Sequence, residues 1–250
     1  MMSERILLIG ASSAIAQELA RKLCQRGCHL ILAGRHEEEL ESIATDLRIR
    51  YQSTVHILTL DALDFPEHAS FVQRCLGLFD QPLDGAIVCY GSMHDQQEAQ
   101  VNWELARQMI DTNYTSVVSL MNLLAEHFAE RGSGFLAAIS SVAGDRGRQS
   151  NYLYGSTKAA LSAYLQGLRN RLYHAGVHVL TIKPGIVDTP MTDGIVNPES
   201  FMVSSPSRVS QDISRALQRQ TNVLYTPWKW RWIMCLIRSI PEQLFKRLKM

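Results

Sequence analysis

Short apolar runs alternate with helix-length periodic segments along most of the chain, and this alternation limits the fold more than any single residue does. The spacing predicts strands over 5–9, 28–33, 55–60, 85–90, 135–140, 177–183 and 222–225. It predicts helices over 14–26, 37–50, 66–79, 103–113, 114–131, 154–174 and 209–218. In the second helix Leu40, Ile43 and Leu47 fall on one face, as core-facing residues must. Strands separated by helices imply βαβ units and a parallel sheet. The expectation is an α/β protein with one doubly wound domain over 1–226. Its sheet has seven parallel strands with helices on both faces. Hydrophobic residues make up 46% of the chain, enough for such a core. No linker, repeat or composition break interrupts the pattern before about 226, where a basic, amphipathic extension (227–250) begins.

Open parallel sheets bind ligands beyond the carboxyl ends of their strands. The residues at those ends therefore matter most. Gly10-Ala11-Ser12-Ser13-Ala14-Ile15-Ala16 joins the first strand to the first helix. A dinucleotide pyrophosphate sits at such a turn, against helix-terminal N–H groups and the positive end of the helix dipole. Gly10, Ser12, Ser13 and Ile15 are the candidate contacts. Only Gly10 survives of the usual three glycines, with Ala14 and Ala16 in the other places, so a plain strand–helix turn is the competing reading. The second strand ends in Gly34-Arg35-His36, with no carboxylate to hold a ribose 2′-hydroxyl. A guanidinium suits a 2′-phosphate instead, which favours NADP(H), with NAD(H) as the alternative. The competing reading of Arg35 is an ordinary surface loop residue. Tyr90 and Gly91, Ser141, and Pro184 and Gly185 end three further strands.

Tyr154 and Lys158 stand four apart in a helix-favouring run, so they share a helix face. A free phenol, with a pKa of roughly 10, is a poor acid or base at neutral pH. A fixed neighbouring cation is expected to pull it toward the working range. Taken alone, a Tyr-x-x-x-Lys is more often a solvated polar face. Tyr152, also in this segment, has no lysine at helical spacing.

Together these residues resemble the short-chain dehydrogenase/reductase family, whose domain is of the Rossmann type. The likeness runs from the Gly10 turn through Asp61, Asn113, Ser141, Tyr154 and Lys158. It continues into Pro184-Gly185-Ile186-Val187-Asp188-Thr189-Pro190, covering roughly 5–225. The resemblance implies that Tyr154 is the general acid/base and that Ser141 hydrogen-bonds the substrate oxygen. It implies that Lys158 binds the nicotinamide ribose and lowers the tyrosine pKa, and that Asn113 holds a water in a proton relay. Asp61 would contact adenine, and the turn carrying Pro184, Gly185, Val187 and Thr189 would cover the nicotinamide, with Tyr90 and Gly91 near the cofactor. The implied reaction interconverts a carbonyl and a secondary alcohol, most simply as a ketoreductase, in an assembly of two or four copies. The family's Asn-Asn-Ala-Gly is Val88-Cys89-Tyr90-Gly91 here, which removes the usual support of the central strand. A narrower likeness rests on Asn113-Tyr114-Thr115, Ser150-Asn151 and Leu244-Phe245-Lys246-Arg247, among others. It points to a bacterial branch that includes the reductase half of the decaprenylphosphoryl-ribose epimerase, and so to a lipid-linked substrate.

Two other functions compete. Nucleotide-sugar epimerases and dehydratases share Tyr-x-x-x-Lys but usually carry a longer C-terminal substrate domain. A non-catalytic cofactor sensor would typically have lost residues such as Asn113, Ser141, Tyr154 and Lys158. A net charge of +1 offers no field for nucleic acid. The start runs directly into a strand, without a signal pattern. Five cysteines without framework spacing read as reduced thiols in a cytosolic protein. Cys24, Cys28 and His29 are split between a helix and a strand, so no metal site is expected. The loop 191–205 is expected to line the substrate pocket with Met191, Ile195, Val196, Phe201 and Met202. In the C-terminal extension Trp228, Trp230 and Trp232 alternate with Lys229 and Arg231, and Arg238, Lys246, Arg247 and Lys249 outweigh Glu242. Its apolar run is too short to span a bilayer. Two readings remain: a helix lying in anionic headgroups on the inner face of the membrane, or one packed on the protein's own core or an oligomer interface.

Overall fold

A computed structural model of the chain describes residues 4–192 and 200–248. Ile195 and Val196 of the expected pocket loop, and Lys249 of the tail, lie outside these residues. The strands are β1 (Arg5–Ile9), β2 (His29–Gly34), β3 (Val55–Thr59), β4 (Gly85–Val88), β5 (Gly134–Ile139), β6 (Val177–Pro184), β7 (Ile186–Val187), β8 (Val203–Ser204) and β9 (Val223–Thr226). The helices are α1 (Ala14–Gln25), α2 (Glu37–Tyr51), α3 (His68–Leu76), α4 (Gln96–Ala99), α5 (Trp103–Ile110), α6 (Ser116–Arg131), α7 (Tyr152–Leu172), α8 (Pro206–Gln218), α9 (Lys229–Ser239) and α10 (Glu242–Phe245).

Seven strands form one all-parallel sheet in the order β3-β2-β1-β4-β5-β6-β9, as the alternation predicts. Strands covered on both faces read as continuous apolar runs, and β1, β2 and β4 are buried almost throughout. One face packs on α1, α2 and α8 through Leu19, Leu23, Leu40, Leu47 and Ile213. The other packs on α3, α6 and α7 through Phe71, Leu120, Leu124, Phe128, Leu161 and Leu165. These two apolar layers supply most of the drive to fold.

The strand order reverses between β1 and β4, so a crevice opens at their carboxyl ends. α1 starts there because Ser13 caps it, its hydroxyl accepting from Ala16 N (3.3 Å). The two helices expected over 103–131 are one rod. α5 runs into α6 through a wide π turn at Asp111–Thr115, which carries Asn113 at its centre. The small β7–β8 sheet is additional, since two-residue strands leave no periodic signal.

The C-terminal extension is a helix docked on the domain. Trp230 and Met234 bury against Val142, with Ile186 and Tyr225 packed around them. Arg146 donates to the carbonyl oxygens of Ile237 (2.8 Å), Arg238 (3.1 Å) and Ile240 (2.6 Å), satisfying the end of α9. Its guanidinium also lies 3.7 Å from the Phe245 ring centroid and pairs with Glu242. The helix thus has a packed face. Its other edge leaves Trp228 and Trp232 exposed, together with Leu236.

Candidate active site

Six strand ends open into one cleft of about 750 Å³. Every residue predicted for the site except Asn113 lines it. At the β1–α1 turn, Gly10 has φ +83°, and a Cβ there would lie 2.7 Å from that of Tyr90, so only glycine fits. Ala16 is fully buried and lets α1 lie close on the sheet, the task of the third glycine in the usual turn. Ala14 lines the cleft. Arg35 stands exposed at the end of β2, with Asp61 and Leu63 beyond β3.

Tyr90, the departure after β4, is tied down by another route. Its hydroxyl is hydrogen-bonded to Ser116 Oγ at 2.8 Å, and burial pushes its pKa well above the ordinary phenol value. Asn113 lies fully buried behind the cleft wall. Its amide accepts from Ser92 N (2.7 Å) and donates to Ser92 O (2.8 Å) and Thr157 Oγ1 (3.1 Å). These bonds clamp the β4 loop to α7. The side chain thus fastens the β4 loop, and Asn113 is not among the residues that line the cleft.

Ser141 follows β5, and its hydroxyl accepts from Ala143 N at 3.0 Å, which closes a short 3₁₀ turn. Two glycines let that turn press against α7. A Cβ on Gly144 would come 2.6 Å from Lys158 C, and one on Gly155 would come 2.8 Å from Ala143 O. This close approach brings Ser141 to Tyr154, and no spacing argument identified either glycine. Tyr154 is half-buried. Burial pushes its hydroxyl up to about 12, while Ser141 acts in the opposite direction. Lys158 is 3% exposed; its ammonium donates to Ile139 O (3.0 Å) and lies 5.8 Å from the Tyr154 ring centroid. Burial pulls Lys158 down to about 8. The expected lowering of the tyrosine by the lysine is thus not the dominant effect among the protein's own groups. Desolvation of both side chains exceeds it.

Gly185 covers the cleft from the β6 side. A Cβ there would fall 1.8 Å from Trp230 Nε1, so the tail tryptophan packs directly on this turn and lines the cleft. Of the expected pocket loop, Met191 lines the cleft. Phe201 instead lies on the surface, 81% exposed, with the Lys229 ammonium 3.6 Å from its ring centroid. Met202 packs beside Trp230 and Met234. Both contact the docked α9, which sequence periodicity could not place. The cleft also contains Ser92, His94, Arg148 and Asn151, which the reading of strand ends passed over because they lie in loops.

The chain is similar to known proteins over most of its length. A family model described as short chain dehydrogenase matches residues 4–200. An uncharacterized oxidoreductase of Mycobacterium tuberculosis is 34% identical over 243 residues, covering 97% of this chain and 96% of the relative. Among solved structures, a short-chain dehydrogenase from Sphingobium yanoikuyae in complex with NADPH superposes with TM-score 0.82 at 24% identity, over 96% of this chain and 97% of that one. An actinorhodin polyketide ketoreductase variant with NADPH gives TM-score 0.80 at 24% identity, over 89% and 95%. A cleft at the sheet's switch point, with Ser141, Tyr154 and Lys158 on one wall and a family match along most of the domain, makes this chain an oxidoreductase of the short-chain dehydrogenase/reductase family.

Proposed function

We propose that the protein is an NADP(H)-dependent ketoreductase with Tyr154 as its proton donor. The convergence of Ser141, Tyr154 and Lys158 on one cleft wall carries this reading. The residues present fit a dinucleotide. Gly10 leaves room for close approach, the capped α1 N-terminus faces the cleft, and Arg35 offers donors where a 2′-phosphate would lie. Two proteins of like fold hold NADPH.

The bound cofactor supplies or accepts the hydride. Ser141 Oγ donates to the substrate carbonyl oxygen and holds it beside Tyr154. The Tyr154 hydroxyl gives its proton to that oxygen as the carbonyl carbon is reduced, leaving a phenolate. The Lys158 ammonium stabilises that phenolate and binds the ribose. A phenol held near 12 stays protonated at neutral pH, which suits the donating, reductive direction. The Gly10 turn, Asp61 and the Gly185–Thr189 turn orient the reactants. An NADPH-consumption screen against ketones, keto-sugars and prenyl-linked keto-sugars tests the reading; no consumption with any of them refutes it.

A peripheral membrane role belongs to the same proposal. Among the described residues no helix is long and apolar enough to cross a membrane. Trp228 (68% exposed), Trp232 (62%) and Leu236 (70%) recur along one edge of α9, among Lys229, Arg231 and Arg238. Tryptophan beside cations is the composition of a headgroup-level contact. The same helix places Trp230 in the cleft, which would bring a lipid-presented ketone to Tyr154. Co-sedimentation with anionic vesicles at low salt, with Trp228→Ser/Trp232→Ser as the comparison, tests it. Absence of vesicle binding by the unaltered protein excludes the contact.

A further inference from the structure

Seven buried side-chain polar atoms lack a hydrogen-bond partner among the described residues, and three of them belong to residues of the cleft, Ser92 Oγ, Arg148 Nε and Asn151 Oδ1, with Gln96 Nε2 a fourth on a side chain bonded to the start of α7. Buried polar groups are normally satisfied, so a local concentration of orphans calls for a cause. Ser92, Arg148 and Asn151 line the cleft. Gln96 is tied to the first turn of α7, two residues beyond Asn151, its Oε1 accepting from Leu153 N at 3.0 Å. None of the four is loosely placed. Ser92 has both backbone groups bonded to Asn113, and Asn151 N donates to Arg148 O (3.2 Å) in the turn that leads into α7 and Tyr154.

Arg148 is the decisive member. Every other arginine that is not exposed has an ion-pair or hydrogen-bond partner: Arg5 and Arg131 on Asp84, Arg21 on Glu18, Arg48 on Glu41, and Arg146 and Arg169 on carbonyl oxygens. Arg148 has neither among the described residues. Burial alone pulls its pKa below the ordinary arginine value, so it is a cation placed against its own solvation. The cleft does not neutralise it. Arg35, Arg148 and Lys158 line the wall, and Asp61, at the adenine end beyond β3, is the only carboxylate among the described lining residues. An uncompensated, half-buried guanidinium beside further donors is the complement of an anionic oxygen group.

We propose that Arg148, with Ser92 and Gln96, forms a subsite for an anionic group on the substrate, a carboxylate or phosphate carried by the ketone, with Asn151 accepting from a neighbouring hydroxyl. The inference rests on the ketoreductase reading of the cleft and narrows its substrate class. Arg148 and Tyr154 line the same cleft, so the anionic group is held in the chamber where the carbonyl reacts. It is a specificity residue, separate from proton transfer.

The test is binding to the full-length protein saturated with NADP⁺, the oxidised cofactor, which cannot reduce the probe, measured by calorimetry. The probes are two matched pairs: levulinate with methyl levulinate, and dihydroxyacetone phosphate with dihydroxyacetone. The anion of at least one pair should bind roughly tenfold to a hundredfold more tightly than its neutral partner, the range for a charge-assisted contact. Arg148→Gln should reduce that preference to within about threefold while leaving NADPH affinity unchanged, and Arg148→Lys should restore part of it. Equal binding of anion and neutral partner, failure of every probe to bind, or an undiminished preference in Arg148→Gln overturns the proposal. So does a parallel loss of NADPH affinity, which would make Arg148 a cofactor contact. Selective anion binding without ketone turnover would support the subsite and refute the reductase reading. Turnover of neutral ketones without anion preference would do the reverse.

Discussion

Replacing Lys158 by methionine should make the protein more stable and inactive. Lys158 is 3% exposed, and a carbonyl oxygen is its one hydrogen-bond partner among the described residues. Its pKa falls from 10.5 to about 8 because burial disfavours the ammonium. At 1.36 kcal/mol for each factor of ten, holding that charge costs about 3 kcal/mol at neutral pH. Methionine keeps the length of the side chain and removes the charge. It also abandons the bond to Ile139 O, which returns about 1 kcal/mol. The net gain is about 2 kcal/mol in the unfolding free energy. The sign depends on pH. Between about 8 and 10.5 the unfolded chain holds a proton that the folded chain has released, so wild-type stability rises across that window. The variant lacks this titration. Its advantage is therefore full below pH 8, shrinks above it, and becomes a deficit of about 1 kcal/mol beyond 10.5. Urea unfolding of both proteins at a series of pH values measures this directly. A variant less stable than wild type at neutral pH, or a difference independent of pH, would refute the reasoning. Stability sacrificed for activity at one buried residue is the signature of a site under functional constraint.

Other expectations follow from the same geometry. Arg35→Ala should weaken NADPH by roughly tenfold or more and NADH little, because a charge-assisted contact with the 2′-phosphate alone is lost; fluorescence titration with equal losses would contradict it. Gly144→Ala should destabilise the protein and lower turnover together. Its Cβ would meet Lys158 C at 2.6 Å and push the Ser141 turn off α7, which denaturation and kinetics on the same preparation would register. Ketone reduction should hold through neutral pH and decline above about 8 as Lys158 loses its proton, since Tyr154 remains a donor to about 12; a pH–rate profile rising above 8 would contradict this assignment.

The sheet was legible because its strands are buried on both faces and its helices are amphipathic, so each carries its own periodicity. The strand ends were legible for the same reason, and they located Gly10, Ser141 and Pro184 at one rim. What the chain did not disclose locally is what depends on long-range contact. Gly144 and Gly155 are needed only because two distant segments touch. Trp230 reads as one of three alternating tryptophans until the docked helix turns it inward against Gly185 and leaves Trp228 and Trp232 outside. Arg148 gives no periodic signal, and what marks it out is the lack of an ion-pair partner among the described residues. Asn113 was identified, but spacing did not reveal that its side-chain amide would bond Ser92 and Thr157. The direction of the Tyr154 shift was likewise misjudged: sequence shows the lysine four residues away but not the burial that outweighs it.

The central claim is that Tyr154 donates the proton in an NADPH-dependent ketone reduction. Its most direct test is NADPH consumption by Tyr154→Phe, compared with wild type at saturating ketone and with NADPH affinity measured in parallel. Turnover should fall by about 10²–10⁴-fold while NADPH affinity stays within about threefold, because only the transferable proton is removed. Tyr152→Phe, whose hydroxyl bonds Gln100 outside the cleft, should remain near wild type. Consumption by Tyr154→Phe within a few-fold of wild type would contradict the account.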